Sequence, residues 1–468
     1  MFNRIVVCVC VALSLGVAPA GAQQPRPDGW KGWRAGAAKV NITPAELMWM
    51  SGYAGRTKPA EGKLTDLWAK ALVLEDPSGR RAVLVTMDLV GIERALSVEV
   101  CQELKQKYGL AREAILLSVS HTHTGPVVRS NLNVMYQLDA KQQKQVADYA
   151  KVLHANLVRV VGDALKQLAP AELSWGIGKT TFAVNRRTNK EADVPKLRAS
   201  GLLKGPVDHD VPVLAVRAPK GELRAVVFGY ACHATVLSFY QWSGDYPGFA
   251  QIELEKAHPG MVALFWAGCG ADQNPLPRRT VGLAEEYGRK LAGAVEDMLA
   301  APLTPLGDGK LGVAYAEIDL PFADLPSREQ LVKDSLSKSK YEAARAKLLL
   351  KQMAEKGSLR GTYPYPVQVW QMGPELTWVA LGGEVVVDYA LRLKQEIGPG
   401  KTWIAGYCND VMAYIPSLRV LKEGGYEGGG AMVYYGLPTV WGPRIEELIV
   451  AAVHRQVKQA RATPTLPR

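Results

Sequence analysis

The sequence predicts an α/β fold in which mixed β-sheets pack against helices. Short apolar runs alternate with amphipathic helical patterns along most of the 468 residues, which is typical of α/β architectures. No low-complexity linker divides the chain. Polar residues follow several of the apolar runs, and ligand sites in open α/β sheets lie beyond the carboxyl ends of strands. A functional site is therefore expected at strand carboxyl ends.

The apolar runs predict buried strands, and the 3.6-residue patterns predict helices. The strands are expected at Ala82–Met87, Ala114–Val119, Ala225–Cys232, Val262–Trp266, Leu376–Leu381 and Thr402–Cys408. The helices are expected at Ile92–Tyr108, Lys141–Leu168, Gly248–Lys256, Leu283–Leu299, Val386–Glu396 and Pro443–Ala460, with one long helix over Glu329–Lys356. Residues 82–126 and 225–275 share a succession of strand, helix, strand and polar loop, which indicates an internal duplication.

The first residues have the pattern of a secretory signal peptide. Arg4 precedes an apolar run, and small residues precede Gln23. We expect cleavage of residues 1–22 near Ala22/Gln23 and a secreted or periplasmic mature chain. Because polar clusters come from both ends of that chain, residues 23–468 are expected to form a single large catalytic domain.

Charge and cysteine content restrict the classes of partner. The formal net charge of +11 is dispersed, without a basic block interleaved with aromatics, so no nucleic acid is expected, whereas peripheral contact with an anionic envelope surface is compatible with it. No obligate protein partner is evident. Four widely spaced cysteines, Cys101, Cys232, Cys269 and Cys408, define no disulfide framework and are interpreted as buried thiols.

Two histidines follow the predicted strand that ends at Val119. His121 and His123 are two positions apart and precede a Gly-Pro turn, so in extended chain they face the same side. Either both imidazoles bind one metal ion, or one binds it and the other transfers protons. The pattern by itself indicates metal only moderately, since it occurs in several metallohydrolase folds.

A third histidine and a carboxylate also lie at predicted strand ends. His233 follows one strand, and Glu384 follows another, between glycines and a helix start. A histidine in such a loop is often structural, and a glutamate there also favours a helix N-terminus. Together with His121, however, they complete the two-histidine and carboxylate set common in catalytic zinc sites.

An ordered set of motifs resembles the neutral ceramidase family across nearly the whole mature chain. In order, they are Val40-Asn41-Ile42-Thr43-Pro44, Ser51-Gly52-Tyr53-Ala54, His121-Thr122-His123-Thr124-Gly125-Pro126, Asn185-Arg186, Cys232-His233-Ala234-Thr235, Leu381-Gly382-Gly383-Glu384, Gly406-Tyr407-Cys408-Asn409 and Ala413-Tyr414-Ile415. No single motif is decisive, whereas the order and spacing together are specific.

The resemblance implies a zinc cofactor and roles for particular residues. It implies that Zn²⁺ is held by four metal ligands with His123 beside it, and that a substrate loop assists substrate or oxyanion binding. The four ligands are His121, His233, Glu384 and Tyr414, and the substrate loop is Asn185 and Arg186. Nothing in the local sequence around Tyr414 indicates a ligand without the resemblance.

The sequence departs from the family pattern at two places. It ends at Arg468, soon after the last matching motif, so the immunoglobulin-like C-terminal domain of ceramidases is expected to be absent. The family's catalytic serine also has no counterpart, because Gln273 stands at the matching position of the stretch Gly268–Pro275.

These observations predict a secreted zinc-dependent hydrolase that cleaves a linear amide (N-acyl) bond of a small-molecule or lipid substrate. Without the serine, zinc-activated water is the expected nucleophile. Asp272 is expected to orient or deprotonate that water, or else only to cap a turn, and His123 to protonate the departing nitrogen. The alternatives are a non-catalytic, metal-containing envelope binding protein, or a zinc esterase or hydrolase acting on a non-lipid substrate.

Overall fold

Three β-sheets packed with helices form the framework of the computed structural model, which describes residues 29–307 and 309–462. The predicted mixed α/β fold is confirmed. The predicted signal peptide, residues 1–22, lies outside the described residues. Within the described ranges, none of the helices combines the length and apolar character needed to span a bilayer.

The first sheet has five strands. Their spatial order is Ile115–Val119, Arg81–Met87, Trp68–Glu75, Arg34–Asn41 and Ala169–Pro170. The first two are parallel, and every other neighbouring pair is antiparallel. The helices Arg94–Tyr108 and Ala140–Lys166 connect its later strands.

The second sheet repeats this topology. Its spatial order is Val262–Ala267, Leu223–Tyr230, Asp210–Arg217, Glu172–Lys179 and Thr304–Pro305. Again the first two strands are parallel and the others antiparallel, with the helices Asp245–Ala257 and Val281–Ala300 as connections. The two stretches predicted to be similar, 82–126 and 225–275, therefore have the same topology.

The third sheet has the same arrangement with four strands. Its order is Leu311–Pro321, Thr362–Met372, Leu376–Leu381 and Thr402–Ala405, of which only the last pair is parallel. The helix Val387–Ile397 joins that pair, and the helix Ile445–Ala462 packs on the first two strands.

The remaining elements are short. The two-stranded pairs are Gly62–Lys63 with Gln241–Trp242, Ala183–Asn185 with Gln273–Pro275, and Glu384–Val385 with Tyr414–Ile415. The remaining helices are Val194–Ala199, Arg328–Asp334, Lys340–Lys356, Leu418–Glu423 and Gly425–Gly428, with 3₁₀ turns at Arg112–Ala114, Glu191–Asp193 and Gly430–Val433.

An apolar cluster rich in tryptophan joins the three sheets. Trp266 of the second sheet lies 5.3 Å from Trp378 of the third, and Trp378 lies 5.5 Å from Trp403, between ring centroids. Leu84 and Leu116 of the first sheet belong to the same buried cluster. Large aromatic side chains bury much apolar area, so this cluster fixes the sheets against one another.

The last parallel strands of the three sheets meet at their carboxyl ends. The Val119 N–H donates to the Tyr407 carbonyl at 3.3 Å, and the Asn409 N–H donates to the Leu117 carbonyl at 2.7 Å. The Gly406 N–H donates to the Ala267 carbonyl at 3.0 Å, linking the second and third sheets. The loops that follow these strands are therefore brought to one place.

Three details differ from the sequence predictions. The helix predicted over Glu329–Lys356 is two helices, because Ser339 accepts from the Glu342 N–H and begins a new helix. The strand predicted to reach Cys408 ends at Ala405, since the junction described above turns the chain. Antiparallel strands such as Arg34–Asn41 were not predicted.

Candidate active site

Two histidines from different sheets point their Nε2 atoms at one spot. His121 follows the strand Ile115–Val119, and its Nδ1 lies 2.6 Å from the Val90 carbonyl oxygen. His233 follows the strand Leu223–Tyr230, and its Nδ1 lies 2.8 Å from the Gly270 carbonyl oxygen. A protonated Nδ1 that donates to a carbonyl leaves Nε2 with a free lone pair, which is the usual state of a metal-binding histidine.

Glu384 of the third sheet completes this group. Its Oε2 lies 3.0 Å from His121 Nε2 and 3.1 Å from His233 Nε2, and it has no hydrogen-bond donor among the described residues. The other carboxylate oxygen accepts a short hydrogen bond from the Tyr435 hydroxyl. Gly383 precedes Glu384 with φ 73°, a conformation that favours glycine and turns the carboxylate inward.

His123 lies beside His121 but has a different environment. Its Nε2 is 3.1 Å from His121 Nε2, and its Nδ1 is buried without a partner among the described residues. Gly52 allows this approach, because a Cβ atom there would lie 2.5 Å from His123 Nδ1. The Tyr53 ring packs at 4.8 Å from the imidazole, and Arg56 donates to the His123 carbonyl at 2.7 Å.

Tyr414 and Arg186 form the side of the group next to His233. The Tyr414 hydroxyl lies 3.3 Å from His233 Nε2, and Arg186 Nη2 donates to it at 3.1 Å. Glu427 holds Arg186 through an ion pair at 2.7 Å, and Asn274 accepts from the same guanidinium at 3.3 Å. Because its donors are engaged in this way, Arg186 is a fixed positive charge beside the phenol.

The donor set fits a divalent metal. Two imidazole Nε2 atoms, a carboxylate oxygen and a phenol oxygen converge in a buried site, and acceptors that face one another need a cation between them. His121, His123 and His233 also form a group whose ligand atoms lie within 4.8 Å of one another. The geometry thus permits both alternatives that the sequence left open: His121 and His123 both bind the ion, or His121 binds it and His123 transfers protons.

The protonation states of these groups suit metal binding. Burial lowers the pKa of His233 to about 4 and that of His123 well below its ordinary value. Burial by itself would raise the pKa of Glu384, but the adjacent His121 and His233 lower it well below its usual range. For His233, His123 and Glu384 these directions favour two neutral imidazoles and an ionised carboxylate, which are the forms that bind metal ions.

Asp272 and Asn185 lie together, but their polar groups bond to each other and to backbone. Asn185 Nδ2 donates to Asp272 Oδ2 at 3.1 Å, and the Val387 N–H donates to Oδ1 at 2.9 Å. Burial raises the pKa of Asp272 to about 6. In the part of the chain that the structure describes, its carboxylate has no hydrogen bond to the three histidines, and its catalytic role stays a prediction.

Gln273, which the sequence resemblance predicts to stand at the position of the family's serine, bonds through its side chain only to backbone. Its Nε2 donates to the Ala231 carbonyl, and its Oε1 accepts from the Asp208 N–H at 3.1 Å. The side chain is fully buried. Nearby, Cys269 is a free, buried thiol whose pKa burial raises well above its ordinary value, so it is a poor nucleophile.

Sequence reasoning missed several residues that shape the site. Tyr435 bonds to Glu384, Glu427 bonds to Arg186, and the Val90 and Gly270 carbonyls orient two histidines. No local motif marks Tyr435 or Glu427. The glutamate lies in a glycine-rich stretch, which indicates unusual backbone geometry but no particular contact.

These features define an α/β protein with a candidate metal centre at the junction of three sheets. A sequence profile described as neutral/alkaline non-lysosomal ceramidase, N-terminal, matches residues 33–268. The chain belongs to this family.

The chain is also similar in sequence to proteins named neutral ceramidase. A neutral ceramidase of Pseudomonas aeruginosa is 31% identical over 267 residues, which is 55% of this chain and 38% of the relative's length. Neutral ceramidase B of Dictyostelium discoideum is 25% identical over 282 residues, 56% of this chain and 38% of the relative. These alignments thus span well under half of the relatives' own length.

The similarity in fold extends further along the chain than the sequence alignments. A ceramidase complexed with C2 superposes with a TM-score of 0.71 at 20% identity, covering 94% of this chain and 78% of the other. The neutral ceramidase from Pseudomonas aeruginosa gives a TM-score of 0.68 at 23% identity, with 94% and 77% coverage.

Proposed function

We propose that this chain is a zinc-dependent hydrolase that cleaves a linear amide (N-acyl) bond in a small-molecule or lipid substrate. The observation that carries the proposal is the convergence of two carbonyl-oriented imidazoles on an unpaired carboxylate oxygen. The relatives are ceramidases by name, and ceramides are N-acyl lipids. The class of bond follows from that kinship, whereas the acyl chain and amine are not specified by it.

Four residues would hold the metal ion. We assign His121, His233, Glu384 and Tyr414 to this role, because their ligand atoms converge and the Nδ1 atoms of both histidines bond to backbone carbonyls. A bound zinc ion supplies a Lewis acid and lowers the pKa of water to about 7. Such a site needs no serine. This suits a chain that has Gln273 at the position that the resemblance matches to the family's catalytic serine.

His123 is the proposed proton-transfer group. Unlike His121 and His233, it lacks a carbonyl that fixes its tautomer, since its Nδ1 has no partner among the described residues. A neutral imidazole with a free nitrogen can accept a proton and later deliver it to the departing amine. Arg186 acts as a positioning residue: burial and Glu384 raise the pKa of the Tyr414 hydroxyl well above its ordinary value, and the charge of Arg186 beside that hydroxyl opposes the rise.

A non-catalytic metal-binding protein is the second candidate. The observation in its favour is that Gln273 bonds to backbone through both side-chain groups and leaves no hydroxyl in the serine position. On this alternative, the site binds its ligand without turnover.

Hydrolysis assays distinguish the two candidates. Purified protein is assayed with N-acyl amino acids, N-acyl amino sugars, ceramides and simple esters, with and without a chelator. We expect amide hydrolysis that the chelator abolishes and zinc restores, and that His123→Ala lowers by about 10²- to 10⁴-fold. His258→Ala, which removes a part-exposed histidine paired with Glu296, serves as control. No turnover of any substrate by the zinc-loaded protein would favour the binding protein, and turnover insensitive to the chelator would contradict a metal-dependent enzyme.

A further inference from the structure

The helices Arg328–Asp334 and Lys340–Lys356 form a helical hairpin with a small core of its own. Leu331 of the first helix packs with Ala346 and Leu349 of the second, separately from the larger cores. We define the helical hairpin as residues 325–356, which includes the segment that leads into it. Because this core is small, the hairpin is an appendage to the sheets and contributes little to joining them.

The hairpin contacts residues that adjoin the candidate active site. The Tyr341 hydroxyl donates to the Ala54 carbonyl at 2.8 Å, and the Tyr341 ring lies 5.0 Å from that of Tyr434. Ala54 follows the tyrosine that packs on His123, and Tyr434 precedes the tyrosine that bonds to Glu384. The hairpin therefore stands at the rim of the site.

Large apolar side chains are exposed on this hairpin. Leu336 is 82% exposed, Val332 is 42% exposed and Leu325 is 37% exposed. Val332 lies in the first helix, and Leu336 lies in the turn that follows the end of that helix at Asp334. Val440, which is 36% exposed, lies next to the segment that leads into the hairpin, because the Ala323 N–H donates to the Val440 carbonyl at 2.9 Å. Neighbouring exposed apolar residues of this kind mark interaction surfaces.

Basic side chains surround this apolar patch. Lys333, Lys338 and Lys340 are exposed, and none of them has an ion-pair partner among the residues that the structure describes. The nearby acids Asp334 and Glu342 accept from the neutral donors Gln330 and Ser337 and keep their charge. Residues 325–356 nevertheless contain eight Lys or Arg and four Asp or Glu, so the hairpin has an excess of four positive charges. The hairpin thus combines protruding apolar side chains with unpaired positive charge.

We propose that the helical hairpin docks on a lipid surface that carries anionic headgroups. Val332 and Leu336 enter the boundary between headgroups and acyl chains, and the three lysines contact the headgroup charges. A protein partner fits less well, because a stable protein interface needs about 800 Å² on each side with an apolar centre, whereas lysines interleave this small patch. The inference goes beyond the proposed hydrolase and does not depend on it.

Vesicle cosedimentation of the full protein, without substrate, tests the proposal. The vesicles are phosphatidylcholine alone or an equal mixture with phosphatidylglycerol. The test variants are Val332→Ser/Leu336→Ser and Lys333→Gln/Lys338→Gln/Lys340→Gln. The matched controls are Val152→Ser/Ile252→Ser, at residues 57% and 41% exposed on other helices, and Lys144→Gln/Lys151→Gln/Lys166→Gln, which changes the net charge equally.

We expect the wild type to bind the mixed vesicles. We expect it to bind the neutral vesicles only weakly. The lysine variant should lose more than about tenfold in affinity for mixed vesicles, since each lysine near an anionic surface is worth on the order of fivefold. The apolar variant should lose affinity for both kinds of vesicle, and the controls should bind like wild type. Equal binding of all five proteins, equal losses in controls and test variants, or no binding by the wild type would overturn the proposal. Because the vesicle assay contains no substrate, its result can be interpreted whether or not the chain is a hydrolase.

Discussion

The two five-stranded sheets bring a histidine to the same site through opposite loops. In the first sheet, the loop after the strand Ile115–Val119 carries His121, and the loop after the strand Arg81–Met87 supplies the Val90 carbonyl that orients it. In the second sheet, the loop after the strand Leu223–Tyr230 carries His233, and the loop after the strand Val262–Ala267 supplies the Gly270 carbonyl. The topology is the same, and the roles of the two loops are exchanged.

This exchange explains why the side chains of the loop after Val262–Ala267 bond to neighbouring parts of the protein. This loop contributes only backbone carbonyls to His233, those of Gly270 and Gln273, so its polar side chains are available for other bonds. Asp272 and Gln273 accordingly bond to neighbouring backbone and to Asn185. The comparison predicts that substitutions in the histidine-bearing loops abolish metal binding, whereas substitutions in the supporting loop mainly lower stability.

Removing either histidine should have the largest effect. His121→Ala and His233→Ala each delete one proposed ligand from a buried site, so we expect about one zinc per wild-type chain and none retained by either variant after dialysis. Metal analysis of the three proteins measures this, with His258→Ala as control. Equal zinc content in the wild type and both variants would contradict the assignment of these loops.

Asp272→Ala should lower stability more than it lowers metal content. It leaves the buried Val387 N–H without an acceptor and removes one of the two acceptors of the Asn185 amide, which also donates to the Pro206 carbonyl; together these losses cost about 2–4 kcal/mol of unfolding free energy. Denaturant unfolding and metal analysis measure the two quantities, with Asp163→Ala on an exposed helix face as control. If Asp272 is instead a catalytic base, Asp272→Asn will lower turnover strongly while the unfolding free energy is unchanged.

Gln273→Ser should not create a covalent mechanism. The serine loses the amide bonds to the Ala231 carbonyl and the Asp208 N–H, which lowers the unfolding free energy by about 1–3 kcal/mol. Pre-steady-state assays on any amide that the wild type cleaves should show no burst of amine in either protein. An acyl adduct on the new serine, found by mass spectrometry, would show that this loop faces the substrate after all.

Asp410 offers the smallest but most specific test, through pH. Asp410 lies in the loop after the strand Thr402–Ala405 of the third sheet, as Asp272 lies in the loop after the strand Val262–Ala267 of the second sheet. Burial raises the pKa of Asp410 to about 7. The folded state therefore keeps a proton that the unfolded chain releases near pH 4, so the unfolding free energy falls as pH rises from about 4 through 7. Asp410→Asn keeps an acceptor for the Tyr363 hydroxyl and should make this decline shallower.

The difference between wild type and Asp410→Asn isolates this carboxylate. Burial also raises the pKa values of Asp88, Asp245 and Asp272 to about 6, so these groups contribute to the decline between pH 6 and 7 in both proteins, and only the difference in slope reports on Asp410. Unfolding free energies at pH 6 and 7, with Asp163→Asn as control, provide the measurement. Identical slopes for wild type and Asp410→Asn would mean that Asp410 is ionised in the folded protein.

The sequence predicted the side chains of the site better than their surroundings. His121, His233 and Glu384 follow buried apolar strands, and that signal is local. Backbone carbonyls such as that of Val90, and partners such as Tyr435, come from distant segments and carry no signal of their own. The strand Arg34–Asn41 was missed because its alternation rests on Ala and Gly, which are weakly apolar. The apolar periodicity over Glu329–Lys356 predicts one continuous helix, because that periodicity does not show that Ser339 caps the start of a second helix.

Crystals of the zinc-loaded protein test the central claim most directly, through anomalous diffraction at the zinc edge. The account predicts one strong peak at about 2.0–2.2 Å from His121 Nε2, His233 Nε2 and Glu384 Oε2, with the Tyr414 hydroxyl as a further ligand. A peak bound by His121, His123 and His233 without Glu384, or no peak at the junction of the three sheets, would contradict it.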